Sequence, residues 1–302
     1  RPPIREHLLV PKPDRMMWGG IRNLLSGVTT VAHHNPCEPA IFTGRFPVRV
    51  VRRFGWAHSL AFASNVRDCL ARTPPRWPFI IHAAEGTDAS AFAEIPRLRE
   101  LGILDSRTVL VHAVAATPAT LDMIRESGAS IVWCPSSNLF TLGRTLTPEL
   151  VRYGIPVALG TDSSLTGAGD LVDEMNIAGL TAAEIYPLVT TNPARMLRLR
   201  PGQGIICERG VADLLVVRDT GQTPAQSIMD LRPELVMVRG RIMLLSEAFA
   251  ARLPPSDLKG FHSICVEGRG SCLIRADVPR LYASASKVLG PEIRLAGKRV
   301  CI

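Results

Sequence analysis

The 302-residue chain is 46% hydrophobic and carries a formal net charge of +8. Its longest apolar runs, such as "VALG" and "IVWC", fall far short of the ~20 residues that cross a bilayer, and the opening "RPPIREHLLVPKPD" lacks a signal-peptide core, so no membrane partner and a soluble, cytoplasmic location are expected. Seven cysteines without CxxC spacing argue against a disulfide framework or zinc knuckle, and 35 basic residues, all but four of them arginine, are scattered without interleaved aromatics, so nucleic acid is not expected either.

In chain order, six β-branched runs read as buried strands: 27–34 ("GVTTVAHH"), 48–59 ("VRVVRRFGWAHS"), 79–85 ("FIIHAAE"), 108–114 ("TVLVHAV"), 129–138 ("ASIVWCPSSN") and 155–164 ("IPVALGTDSS"). Helical patterns separate the later runs: 64–73, 90–102, 117–128 and 147–154. Gly102, Gly128 and Gly154 fall where helix C-caps belong, and Thr117 before Pro118 is an N-cap with proline at the first helical position. Strand, helix, strand at this rhythm predicts βαβ units and a parallel sheet. After residue 198 the rhythm changes. "VADLLVVRD" (211–219) and "PELVMVRGRIMLL" (233–245) are strand-like with little helix between them, and 278–290 ("VPRLYASASKVLG") reads as a helix in an otherwise uninformative tail.

The polar residues follow a rule. His33 and His34 close the first run, His58 the second, His82 and Glu85 the third, His112 the fourth, Asn138 the fifth and Asp162 the sixth. In a parallel barrel those C-terminal ends share one face, where barrel active sites are built. Neutral imidazole and carboxylate are good ligands for Zn²⁺ or Fe²⁺, and a catalytic site keeps one position open for water. A neighbouring carboxylate can then shuttle the proton. Side chains alternate along a strand, so only one of His33 and His34 can face such a site.

"HAAEG" (82–86), "VLVHAV" (109–114), "CPSSNLFTLG" (134–143) and "VALGTDSS" (157–164) together resemble the amidohydrolase superfamily, in particular its deaminase and chlorohydrolase-like branch. "GVTTVAHH", "TTNPARML" (190–197) and "GVADLLVVRD" (210–219) extend the resemblance over about residues 27–250. It implies an α/β fold, a (β/α)8 TIM-type barrel with a small β-sandwich appendage. The barrel is assigned to residues 1–198, and the C-terminal part of the sandwich with its tail to 199–302.

The resemblance also implies the roles. His82 and Asp162 are metal ligands, and Glu85, His112 and Asp162 are catalytic. His34, His58 and Asn138 are substrate contacts. One divalent ion is expected, Zn²⁺ first and Fe²⁺ second, because no lysine lies between Lys12 and Lys259 to bridge two metals. The activity implied is metal-dependent hydrolysis of a C–N bond in a small cyclic molecule, of deaminase or amidase type. A small-molecule substrate is the expected partner, with a homo-oligomer left open.

Two features depart from the family. No HxH pair, the usual first-strand source of two ligands, occurs in the sequence, and it is expected upstream of Arg1. Between His34 and His82 one clear strand is found where two are expected. The alternative is an amidohydrolase-like binding or scaffold protein that lacks the first-strand ligands and catalyses nothing.

Overall fold

The computed structural model describes residues 4–63 and 65–302, leaving residues 1–3 of the opening stretch and Ser64, the first residue of the 64–73 helical pattern, outside the described residues. Up to residue 159 the strands are short and parallel. β1 (Thr30–Val31) pairs with β2 (Arg49–Val50). Separately, β3 (Gly55–Ala57), β4 (Phe79–Ala83), β5 (Thr108–His112), β6 (Ser130–Trp133) and β7 (Val157–Leu159) hydrogen-bond in chain order.

The stretch 48–59 is therefore two strands rather than one. Only residues 51–54 lie between β2 and β3, far fewer than the dozen or so that a parallel crossover needs. The two strands follow one another without pairing, and among the described residues the ladder stands as a five-stranded and a two-stranded piece, with no closure into an eight-stranded ring.

Elsewhere the local signals act as read. Thr117 and Thr120 form a capping box around Pro118, and the Pro118–Ser127 helix ends on Gly128 at φ +73°. Asp88 caps Ala89–Glu100 by accepting from Ala91 N. The 147–154 pattern forms a 3₁₀ turn at Pro148–Arg152 instead of an α-helix.

Alternation on the parallel strands sorts two cores. Phe79, Ile81, Leu110, Ile131 and Val157 face outward and bury against helix residues Ile95, Leu98, Ile124 and Ile185. Ile80, Val109, Val111, Cys134 and Ala158 form an inner cluster with Trp56 and Val132. His82 shares a face with Ile80, so the inner column leads directly to it.

A second sheet is antiparallel throughout. Its strands are β8 (Leu214–Val217), β9 (Pro233–Val238), β10 (Arg241–Ser246), β11 (His262–Val266), β12 (Gly270–Ile274), β13 (Arg294–Leu295) and β14 (Lys298–Cys301), in the order β13-β14-β11-β12-β10-β9-β8. Against it lies the Lys12–Leu25 helix, whose Trp18, Ile21, Leu24 and Leu25 recur at helical spacing and bury on Val236, Leu244 and Ile264. The tail helix Val278–Leu289 packs into the same core through Val278 and Leu281. No helix among the described residues is long and apolar enough to cross a membrane.

Candidate active site

The strand ends are where the backbone departs from its preferred conformations. Ala84, His112, Ala113 and Asp162 all lie in the left-handed region, at φ +53°, +76°, +53° and +48°. None is glycine, and each such residue costs roughly 1–3 kcal/mol, which the surrounding structure must offset. At His112 the purpose is visible. Strict alternation would send its side chain outward with Leu110. The left-handed turn instead stacks its ring on His82, with centroids 5.5 Å apart.

Four histidines thereby meet at one end of the parallel sheet. His82 Nδ1 lies 2.7 Å from the backbone oxygen of His58. A carbonyl only accepts, so Nδ1 carries the proton and Nε2 presents a lone pair. That Nε2 faces His34 Nε2 at 2.9 Å. His34 is the member of the adjacent pair that enters the site; His33 points elsewhere, and its Nε2 is buried without a hydrogen-bond partner among the described residues. Burial, reinforced by His82, lowers His34 to about 4, so it is neutral at physiological pH. The exposed His58 ring stands 4.9 Å from that of His82, with its other side against Phe62.

His112 is 1% exposed. Its Nδ1 lies 2.8 Å from Asn138 Oδ1, and its Nε2 3.5 Å from Glu85 Oε2. Asn138 is fully buried, and its Nδ2 donates to Thr145 Oγ1 at 3.3 Å, the atom that also accepts from Trp133 Nε1 at 2.7 Å. Both ends of the amide are thus used inside the protein. Asn138, expected as a substrate contact, here holds His112, fixing the proton on Nδ1 and turning Nε2 toward Glu85. Sequence reasoning missed Thr145, which completes the network from a loop with no motif of its own.

Asp162 extends from the end of β7. Ser137 Oγ donates to its Oδ2 at 2.5 Å and Thr166 Oγ1 does so at 3.2 Å. Burial works against its charge, yet Ser137, the nearby His112, the Ser163 backbone and Thr166 outweigh it and hold the carboxyl below its ordinary range. Cys134 is buried and its thiol is pushed well up, so it presents no thiolate nucleophile.

The donors suit a divalent ion in kind: two imidazoles whose Nε2 atoms face each other, and a carboxylate kept ionised. They do not enclose one, since no three His, Cys, Asp or Glu groups among the described residues stand close enough together to do so.

The sequence model of the amidohydrolase family matches residues 77–243. Over 135 residues the chain is 32% identical to the 5-methylthioadenosine/S-adenosylhomocysteine deaminase of Pyrococcus furiosus, a match covering 40% of this chain and 32% of that protein. The matched part thus spans about a third of that relative's length. Among solved structures, an adenosine deaminase from Xanthomonas campestris with bound zinc superposes with a TM-score of 0.66 at 20% identity, over 94% of this chain and 76% of the other. The zinc-complexed atrazine chlorohydrolase from Arthrobacter aurescens gives 0.59 at 19% identity, over 91% and 60%. At those identities the likeness is one of fold, TIM-barrel-like with a separate antiparallel sheet.

Proposed function

The chain belongs to the amidohydrolase family, and we propose that it is a metal-dependent hydrolase of deaminase type, releasing ammonia or an amine from a small cyclic molecule. The observation that carries this reading is the meeting of His82, Glu85, His112 and Asp162 at one end of the parallel sheet, at the ends of β4, β5 and β7 or in the loops that follow. The named relatives act on adenosine-like or triazine compounds, which favours an aminated nitrogen heterocycle as the substrate class.

A divalent ion, zinc by the chemistry of its donors, would be held by His82 and Asp162, with His34 Nε2 beside His82 Nε2, and would supply a water acidic enough to attack at neutral pH. The chain's own groups do the rest. Glu85 takes a proton and hands it to the departing nitrogen. His112 Nε2, oriented by Asn138, stabilises charge developing on the ring opposite the attacked carbon. Asp162, ionised in its cradle of hydroxyls, accepts a proton from the attacking side. His34 and His58 line the mouth where the ring enters. Residues 1–198 carry this chemistry in the proposal, and 199–302 support it.

The test uses the complete protein loaded with Zn²⁺ against a panel of aminated purines, their nucleosides, aminated triazines and N-acyl compounds, with ammonia or amine release as the readout. Turnover of at least one substrate, abolished by His82→Ala and Asp162→Ala, is expected. Activity that survives both substitutions overturns the assignment. Zinc-free protein with no turnover on any member of the panel would identify a binding or scaffold protein instead.

A further inference from the structure

On the antiparallel sheet, β11 and β14 place Cys265 directly opposite Cys301 and Val266 opposite Val300. Glu267 N donates to Arg299 O at 2.9 Å, extending the same register. Val266 and Val300 are buried in the sheet's core. By alternation the two cysteines share the other face, where Cys265 is half-buried and Cys301 exposed. Opposed residues in an antiparallel ladder have Cα atoms about 4.5–5.5 Å apart, inside the span of ~4.4–6.8 Å that a disulfide bridges. The neighbouring Cys265 is the main influence on the Cys301 thiol, raising it above the ordinary range.

Cys272 is no competing partner. It sits on β12 opposite Ile264, on the core face, and burial pushes its thiol up to about 12.

We propose that Cys265 and Cys301 form a redox modification site, converted to a cross-strand disulfide by a low-molecular-weight disulfide such as oxidised glutathione. The thiolate of Cys301, the more exposed of the two, attacks one sulfur of the oxidant, forming a mixed disulfide and expelling one glutathione thiolate. Cys265 then attacks the Cys301 sulfur, forming the internal bond and expelling the second. The two protons lost by the protein end on the two glutathione thiols, so two cysteines are oxidised as one glutathione disulfide is reduced. The bond would fix β14, the strand from which Lys298 reaches Asp173 at 2.7 Å, and so tie the tail covalently to the sheet beneath the Asp162-bearing loop.

The full chain is equilibrated with oxidised glutathione, alkylated, and read by intact mass and peptide mapping. The expected result is loss of two of the seven alkylatable thiols, a mass lower by two hydrogen atoms, and tryptic peptide 260–269 linked to 300–302, all reversed by dithiothreitol. The oxidised form should also unfold at a higher temperature than the reduced form, and Cys301→Ser, which changes one exposed sulfur, should abolish both the link and the shift. Seven free thiols after equilibration, stable glutathione adducts without an internal bond, or a bond to any other cysteine would overturn the proposal.

Discussion

One guanidinium nitrogen of Arg269, on the turn between β11 and β12, lies 2.8 Å and 2.7 Å from the two carboxylate oxygens of Asp170. Asp170 is 3% exposed and also caps the Leu171–Ile177 helix by accepting from Val172 N. The loop that follows Asp162 is thus held at its far end by the antiparallel sheet. Arg22 adds a second hold, donating to Gly169 O at 3.2 Å and reaching Thr161 Oγ1 at 3.5 Å. Ser136 adds a third by accepting from Ala168 N at 2.9 Å.

Arg269→Ala leaves a buried carboxylate whose nearest remaining ion-pair partner is Lys298, 3.7 Å away, with the Val172 N–H still donating to it and Arg22 nearby. Removing one member of a buried pair costs about 3 kcal/mol, and urea unfolding should show a loss of that order. Arg269→Ala combined with Asp170→Asn should cost less than the sum of the two single changes. Strict additivity would mean that the pair does not couple the tail to the loop.

Lys298 provides a pH test. Burial works against the charge of Asp173, but its hydrogen bond from Lys298, the Asp170 backbone N–H and the nearby Arg269 together hold it below the ordinary carboxylate range. A carboxylate depressed in the folded state contributes stability that is present above its unfolded value, near pH 4, and lost as pH falls through the folded value. Lys298→Met should therefore lower stability near neutral pH by roughly 0.5–1 kcal/mol, the scale of a partly exposed pair. The difference should shrink as the pH falls below about 4 and on through the depressed folded value, beneath which both proteins carry a protonated Asp173. A gap that stays constant down to pH 2 would assign the loss to packing.

Gly160, between β7 and Asp162, has no room for a side chain. A Cβ there would stand 2.7 Å from Val132 Cγ1 and 3.0 Å from Cys134 Sγ, both in the inner column. Gly160→Ala should cost about 1–3 kcal/mol by overpacking and displace Asp162. Pairing it with Val132→Ala should recover part of the loss, because the nearer clash disappears. No recovery would show that the strain lies in the backbone.

The parts of the site legible in the sequence were those that end a hydrophobic run. His82, Glu85, His112 and Asp162 announce themselves because an apolar strand stops on an ionisable group, and the structure gathers them at one end. Long-range or burial-dependent features were not legible. Arg269 and Asp170 are 99 residues apart, and nothing local marks one for the other. Asn138 has the same local signal as a substrate contact, and only its burial behind Thr145 shows that it faces inward. The crowding between His34 and His82 was visible as a missing strand. Its resolution into β2 and β3 was not, because "VRVVRRFGWA" is continuously strand-like and the four-residue break carries no proline or glycine before Gly55.

Asn138 gives the most direct test of how the site is oriented. Its Oδ1 keeps the His112 proton on Nδ1, leaving Nε2 to act beside Glu85. Asn138→Ala removes the acceptor from a buried imidazole, costing about 1–3 kcal/mol of stability. With the ring free to tilt or change tautomer, turnover should fall by about 10²-fold, carried mainly by kcat with KM little changed if Asn138 acts through His112 alone. Asn138→Asp restores an acceptor and should recover part of the turnover. Its added charge should also favour the imidazolium of His112 and shift the pH profile upward. Nitrogen chemical shifts of His112 report the tautomer without reference to activity. They should show a protonated Nδ1 in the wild-type protein and a mixture in Asn138→Ala. An unchanged tautomer alongside a raised KM would return Asn138 to the role of a substrate contact.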